Sequence, residues 1–318
     1  MKLITTIIGL EDIAINEVKE LYKVKAKKVC QGRILFETSK KIKISRSCDK
    51  IYILLRKFKF KNFKNIIEKT KNIKFSSIKK DFRVKCNRFG NHRFNSIKIE
   101  RKVGEVIFKK GFKVNLKSKE IIYVDIINQD CFIGILLKDN LCKRDYRIRI
   151  NNQGLNACLS YSLLKILNWK KNESLLDPFC KDGTILIEAA LTGGKKLYGM
   201  DSDFNIRSSE VNSKMAKVKI NFYKESLDWL DTKFKKNEID KIITNIPFPS
   251  KKRNEKEIKE LYEEFFNQVK YILKDSMLII SPKIELFKKC IDGFKIIKKK
   301  EVNIGKLNYK ILILKKTI

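Results

Sequence analysis

Apolar side chains recur along this chain in two rhythms, a period of two that suits strands and a period near 3.6 that suits helices. Ile4 to Ile8 is a short apolar run closed by Gly9. Glu11 to Tyr22 then places Ile13, Ile15, Val18, Leu21 and Tyr22 at helical spacing, with Glu17 and Glu20 among the polar positions. Gly32 to Glu37 predicts a second strand. From about Ile51 to Lys138 the order changes. Phe63 to Lys71 reads as a short helix, and Asp81 to Cys86 alternates large apolar with basic residues as a strand does. Phe94 to Lys109 is a longer helix carrying Ile97, Ile99, Val103, Val106 and Ile107. Two strands follow, Ile121 to Ile127 and Cys131 to Leu137, joined by Asn128-Gln129-Asp130.

Beyond Leu141 an apolar helix is expected over Leu155 to Leu167. A short strand at Leu175-Leu176-Asp177 runs through a tight turn into an amphipathic helix. Strands recur at Lys196 to Gly199, Ile220 to Tyr223, Lys241 to Thr244 and Met277 to Ser281, with helices between. This alternation predicts a mostly parallel, doubly wound sheet. Phe294 to Val302 and Leu307 to Leu314 read as two closing strands. No fixed-period repeat and no long Pro/Gly/Ser linker interrupts the 318 residues, a length that suits two or three domains.

Composition adds a partner class. Lys and Arg number 72 against 36 Asp and Glu, a formal charge of +36 that favours a polyanion. The abundance of Lys, Ile and Asn also fits A/T-rich codon bias, and evenly spread charge also serves as a solvated face. No segment approaches the ~18–20 uninterrupted apolar residues of a membrane span. The N-terminus reaches Glu11 and Asp12 without a small-residue cleavage site, so no secretory signal is read. The eight cysteines (Cys30, Cys48, Cys86, Cys131, Cys142, Cys158, Cys180 and Cys290) form no C-x-x-C pair. Zinc and redox sites therefore fail on spacing, and reduced, mostly buried thiols in a cytosolic protein are expected. No metal is expected, and a monomer is. His92 is the single histidine; without partners it reads as a loop contact or a structural residue rather than a base.

Two motifs carry chemistry. In Asp177-Pro178-Phe179-Cys180-Lys181-Asp182-Gly183-Thr184 a strand ends in an acid and turns through glycine into a helix. Nucleotide-like cofactors sit on such elements in open α/β folds. In Asn245-Ile246-Pro247-Phe248 a strand ends in a small polar side chain followed by proline and an aromatic ring. Together they resemble motifs I and IV of S-adenosylmethionine-dependent amino-methyltransferases, D-P-F/M-C-G-S-G-T and N/D-x-P-Y/F. The family's glycine and serine after the cysteine are Lys181 and Asp182 here.

The resemblance implies a role for each residue. Asp177 would accept from the cofactor's ammonium group, directly or through water, with Phe179, Cys180, Gly183 and Thr184 forming the loop and helix start. Asp201, followed by Ser202, ends the next strand roughly twenty residues on, where an acid grips a ribose diol. Glu225-Ser226 occupies the family's G-D-A position beside the adenine amino group. Taken singly, Asp177 reads equally as a turn residue, Asp201 as a helix cap and Glu225 as a solvated charge. Their order at successive strand ends is what favours a site. Asn245 and the Ile246 carbonyl would accept the two N–H bonds of a substrate amino group. Pro247 would stiffen the turn, and Phe248 would stack on an extruded base.

The N-terminal half resembles RNA-modifying enzymes too. The opening β-α-β pattern with Gly9-Leu10-Glu11 resembles a ferredoxin-like N-terminal domain. The order helix, strand, helix, strand, strand resembles a THUMP domain, best at Arg88-Phe89-Gly90-Asn91-His92-Arg93-Phe94. The expected fold is therefore α/β, a Rossmann-like methyltransferase sheet over 141–318 preceded by ferredoxin-like (1–50) and THUMP (51–140) α+β domains. THUMP domains bind tRNA, typically its 3′ CCA end, so tRNA is the implied partner. Arg88, His92, Arg93, Arg144, Arg147 and Arg149 are the expected contacts, since guanidinium pairs with phosphate bidentately. The resemblance implies a tRNA guanine-N2 methyltransferase, favouring the acceptor stem. A sibling enzyme acting at the acceptor/D-arm junction is one alternative. Another is a tRNA-binding protein with an inactive domain, in which Lys181 and Asp182 crowd the methionine moiety or neutralise each other.

Overall fold

The computed structural model describes every residue except Ile44, Ser77, Lys79, Lys80, Lys252, Lys306 and Ile318. The chain divides into two compact units, Met1–Thr6 with Ala14–Leu141, and Ile7–Ile13 with Cys142–Ile318.

The first unit is built on β1 (Lys2–Thr6), β2 (Ala26–Cys30), β3 (Arg33–Phe36), β4 (Cys48–Lys59), β5 (Asp81–Phe89), β6 (Lys113–Val114), β7 (Ile121–Ile127) and β8 (Asp130–Lys138). Helices α1 (Glu11–Tyr22), α2 (Phe63–Lys71) and α3 (Ser96–Phe108) lie between them in sequence. One sheet runs in the order β2-β3-β1-β4-β8-β7-β5-β6. The boundary expected at residue 50 falls inside β4, which pairs with β1 on one side and β8 on the other. The two expected N-terminal modules therefore share a sheet, and residues 7–13 group with the second unit.

Period-two alternation sorts the faces of this sheet. Ile122, Val124 and Ile126 of β7 pack with Ile66 of α2 and Ile99, Val103 and Ile107 of α3. Tyr123 and Asp125 project to the opposite face, where the Arg33 Nη2 donates to Asp125 Oδ1 at 2.8 Å and the Tyr52 hydroxyl to Asp125 Oδ2 at 3.2 Å. Asparagines start the helices: Asn62 Oδ1 accepts from Asn65 N, and Asn95 Oδ1 from Lys98 N. Such caps satisfy donors that the first helical turn leaves open.

The second unit carries α4 (Ala157–Ile166), β9 (Leu175–Asp177), α5 (Thr184–Leu191), β10 (Leu197–Met200), α6 (Asp203–Met215) and β11 (Asn221–Tyr223). A 3₁₀ turn at Leu227–Trp229 and α7 (Leu230–Lys233) follow. Then come β12 (Ile239–Asn245), α8 (Glu255–Ile272), β13 (Leu273–Ser281), α9 (Glu285–Lys289), β14 (Phe294–Ile304) and β15 (Leu307–Lys316). The sheet order is β11-β10-β9-β12-β13-β15-β14. All pairings from β11 to β13 are parallel, and β15 runs antiparallel to both neighbours. Leu176 and Ile242 face a layer holding Ile258, Tyr262 and Phe265 of α8. Leu175, Ile243 and Leu278 face the other, with Leu159 and Leu163 of α4 and Leu186 of α5. Both faces are covered, which is why these strands read as apolar runs rather than clean alternations.

One thiol expectation is corrected. Cys142 and Cys158 form a disulfide, because the segment entering this unit passes the first turn of α4 with a Cα–Cα separation of 5.1 Å. Cys48, Cys131 and Cys180 are buried and lie outside any disulfide, as expected of small hydrophobes. Among the described residues no helix is long and apolar enough to cross a membrane.

Candidate active site

β9 lies between β10 and β12, so consecutive strands leave it on opposite sides. A crevice opens beyond the strand ends at such a reversal. Asp177 closes β9 and is 1% exposed. Its Oδ1 accepts from the Thr244 hydroxyl at 2.6 Å and from Phe179 N at 3.2 Å. Burial nevertheless pushes its carboxyl up to about 7, against the lowering effect of those two bonds.

The turn from β9 to α5 is tightly tied. Gly183 N donates to Cys180 O at 2.8 Å, and Gly183 adopts φ +75°, where a Cβ would stand 3.0 Å from that of Ser209. Lys181 adopts φ 56°, a left-handed conformation that glycine would take with less strain. Its amide donates to Asp201 Oδ2 at 2.9 Å, while its side chain reaches 5.8 Å from the Phe179 ring centroid. Cys180 is buried, which raises its thiol far above the ordinary value and removes it as a nucleophile. Lys181 and Asp182 do not neutralise each other. Asp182 instead takes Arg147 Nη2 at 2.9 Å and the Thr184 hydroxyl at 2.8 Å.

Asp201 follows β10, and its Oδ1 accepts from Ser202 N at 2.8 Å and Asn205 Nδ2 at 2.6 Å. Glu225 follows β11; Oε1 pairs with Lys233 at 3.0 Å, while Oε2 is buried without a hydrogen-bond partner. Ser226 turns its hydroxyl to Asp228. Asn245 ends β12, 5% exposed, with Nδ2 donating to Gln153 O at 2.7 Å. Its Oδ1, like Glu225 Oε2, is buried without a hydrogen-bond partner. Ile246 sends its side chain into the core and its N–H to Ile280 O at 3.2 Å. The Pro247 carbonyl accepts from the Tyr262 hydroxyl, and Lys283 Nζ lies 5.9 Å from the Phe248 ring centroid.

These groups surround one cavity of about 510 Å³, lined by Phe179, Asp201, Ser202, Glu225, Ser226, Pro247 and Phe248 among others. Asp177, Cys180, Thr184 and Asn245 line a smaller one that shares Phe179 and Lys181 as walls. The volume suits a nucleoside-sized ligand, since such pockets run about 300–1,000 Å³. An orphaned buried acceptor costs about 1–3 kcal/mol, so Glu225 at the larger cavity and Asn245 at the smaller one call for donors from a ligand. An adenine amino group at Glu225 and a substrate amino group at Asn245 would meet that need, and a ribose diol would suit Asp201. The residues fit a sulfonium nucleoside. Among the described residues no three His, Cys, Asp or Glu side chains gather to hold a metal ion.

A family model described as "RMKL-like, methyltransferase domain" matches residues 144–310, more than half of the chain. The chain belongs to this methyltransferase family. A THUMP domain model matches residues 60–136, inside the range expected for it. The chain is 29% identical over 360 residues to a tRNA (guanine(6)-N2)-methyltransferase of Methanocaldococcus jannaschii, covering 93% of this chain and 94% of the relative. A protein of the same name from Archaeoglobus fulgidus is 33% identical over 200 residues, 58% of this chain and 51% of that one. Among solved structures, TrmN from Thermus thermophilus superposes with a TM-score of 0.83 at 23% identity, covering 99% of both chains. SMU.472, a putative methyltransferase complexed with SAH, gives 0.80 at 18% identity, covering 100% of this chain and 98% of that one. The α/β fold of the methyltransferase class is thereby shown.

Within this family member the basic residues divide. Arg144 Nε pairs with the buried Glu188 at 3.1 Å, and Arg147 with Asp182, each side chain only 11% exposed. These internal pairs correct the expectation that both reach for phosphate. Arg149 and Arg93 are exposed. His92 lies 2.6 Å from Asn128 O through Nε2 and 3.0 Å from Arg88 Nη1 through Nδ1, with its ring stacked on Phe94 at 5.1 Å. It pins the loop after β5. Gln153, Asn205, Lys224 and Arg253 also line the larger cavity and were not foreseen. Asn205 sits in the first turn of α6, close behind Asp201 at the end of β10; Gln153 lies in an irregular turn that carries no pattern.

Proposed function

We propose that this protein is an S-adenosylmethionine-dependent tRNA guanine-N2 methyltransferase, favouring a guanosine of the acceptor stem. The observation that carries it is the pair of unpartnered buried acceptors, Glu225 Oε2 just past β11 and Asn245 Oδ1 at the end of β12, in two cavities that share Phe179 and Lys181 as walls. The full-length archaeal relative named for guanine(6)-N2 methylation, together with the THUMP match, supports tRNA as the substrate. A monomer working in the cytoplasm, where its substrate is made and used, completes the reading.

When bound, S-adenosylmethionine supplies an electrophilic methyl carbon. Asp177 would accept from the ammonium end of that molecule, Asp201 from the ribose diol and Glu225 from the adenine amino group. Asn245 and the Ile246 carbonyl accept the two N–H bonds of the guanine amino group. A conjugated amino nitrogen is a poor nucleophile because its lone pair is delocalised into the ring. Two fixed acceptors favour the pyramidal nitrogen and aim its lone pair. The contribution is orientation and charge stabilisation, with no covalent intermediate on the protein. Phe248 offers a face for the extruded base and Pro247 fixes the turn that presents it.

Calorimetric titration with S-adenosylhomocysteine tests the cofactor half. The wild type should bind, and Asp201→Ala should weaken binding by about 1–3 kcal/mol, the scale of a lost buried polar partner. A wild type that shows no binding, with tRNA present, would overturn this reading and promote that of an RNA-binding protein with an inactive domain.

A further inference from the structure

Four hydrogen bonds, joined through the backbone of Gln153, link the ribose-side acid to the amide at the reacting centre. Asn205 Nδ2 donates to Asp201 Oδ1 at 2.6 Å, and Asn151 Nδ2 donates to Asn205 Oδ1 at 2.8 Å. Gln153 N donates to Asn151 Oδ1 at 2.8 Å, and Asn245 Nδ2 donates to Gln153 O at 2.7 Å. The sense of every amide follows from chemistry. A carboxylate only accepts, so Asn205 must turn its NH₂ to Asp201 and its oxygen to Asn151. Asn151 must then offer its NH₂ to Asn205 and its oxygen to the Gln153 N–H, which only donates. The Gln153 carbonyl only accepts, so Asn245 turns its NH₂ there and leaves Oδ1 without a partner beside the smaller cavity. A reversed Asn245 would set oxygen against oxygen at Gln153 and present donors to a substrate amino group, which needs acceptors. The turn that carries Gln153 is held independently: Gly154 N donates to Asn151 O at 2.9 Å, and Asn151 N lies 3.4 Å from Asp182 Oδ2.

We propose that Asn151 is a positioning residue: through Asn205 and the Gln153 peptide groups it ties the orientation of the Asn245 amide to the carboxylate of Asp201. The idea rests on the methyltransferase reading of this crevice for its consequence, though its geometry does not. Asn151 touches neither the cofactor side of Asp201 nor the reacting nitrogen, and it acts by keeping the Asn245 acceptor aimed. Three of the links are partly buried and the Gln153 N–Asn151 Oδ1 link is exposed, so the coupling is geometric: losing one link leaves the next group free to turn.

The test uses the full chain and four variants, Asn151→Ala, Asn205→Ala, Asn245→Ala and the double variant Asn151→Ala/Asn245→Ala. Methyl transfer is followed in single turnover at saturating cofactor and RNA, so weakened binding does not enter. Asn151→Ala and Asn205→Ala should each slow transfer by roughly tenfold to a hundredfold, the range for a small misplacement near the chemistry. In the Asn245→Ala background, Asn151→Ala should add nothing, because its only route to the substrate is gone. Loss that multiplies in the double variant, or no loss in either single one, would overturn the proposal. Hydrogen exchange of the Asn245 side-chain amide, measured by NMR without cofactor or RNA, gives a readout independent of turnover. Protection should fall in Asn151→Ala and in Asn205→Ala; unchanged protection in both counts against the relay. A wild type with no transfer would refute the function while leaving the exchange measurement to decide the relay.

Discussion

Asp177 occupies a position in which its charge is costly. Burial outweighs the two hydrogen bonds that favour the carboxylate and sets its proton release near 7. The sign follows from linkage. The folded protein holds this proton more tightly than the unfolded chain, so the associated stability is full below the ordinary carboxylate range. It is lost as pH rises through about 7. Asp177→Asn should remove that dependence, and melting curves of the two proteins across this interval would show it. Cofactor binding runs the other way, since an ammonium partner favours the ionised form. Affinity for S-adenosylhomocysteine should therefore rise between about pH 6 and about pH 8 in the wild type. It should stay flat there in Asp177→Asn. A flat wild-type profile would place the ammonium elsewhere.

At the scale of elements, the regular strands and helices announced themselves and the irregular backbone did not. Helices α1 and α2 match their expected spans residue for residue, because their apolar stripes and polar backs are unambiguous. β4 escaped notice. It is a central strand with Ile51 and Tyr52 both buried, so neither face shows clean alternation. β2, an edge strand carrying Lys27 and Lys28, also drew no expectation from the sequence. The acids at strand ends were legible from their order alone. The Asn151 to Gly154 turn was not, since its role lies in hydrogen bonds to residues far along the chain. Lys181 and Asp182 looked like a damaged cofactor loop, yet Asp182 anchors Arg147 and abuts this turn. A Cβ on Gly154 would stand 2.5 Å from Asp182 Oδ2 and 3.0 Å from Asn151 O. Gly154→Ala should thus destabilise the protein by about 1–3 kcal/mol, the usual penalty for overpacking. Urea unfolding measures it, and the loss should shrink in an Asp182→Ala background.

Taken as a whole, the molecule combines a formal charge of +36 with a THUMP domain match and a methyltransferase crevice. Phosphate neutralisation releases counterions, so tRNA affinity should fall steeply and linearly on a log–log plot against salt. Filter binding with intact tRNA and with tRNA lacking its CCA end should also show weaker binding of the shortened form. A flat salt response, or equal affinity for both, would contradict docking through the basic N-terminal half. The central claim is chemical, and one assay addresses it. Unmodified tRNA is incubated with radiolabelled S-adenosylmethionine and the protein, then digested to nucleosides and separated. N2-methylguanosine should carry the label, with Asn245→Ala slowing its formation by roughly a hundredfold, the scale for losing one preorganised polar contact to the reacting group. Label on adenine, cytosine or a ring nitrogen, or undiminished turnover in Asn245→Ala, would contradict the account.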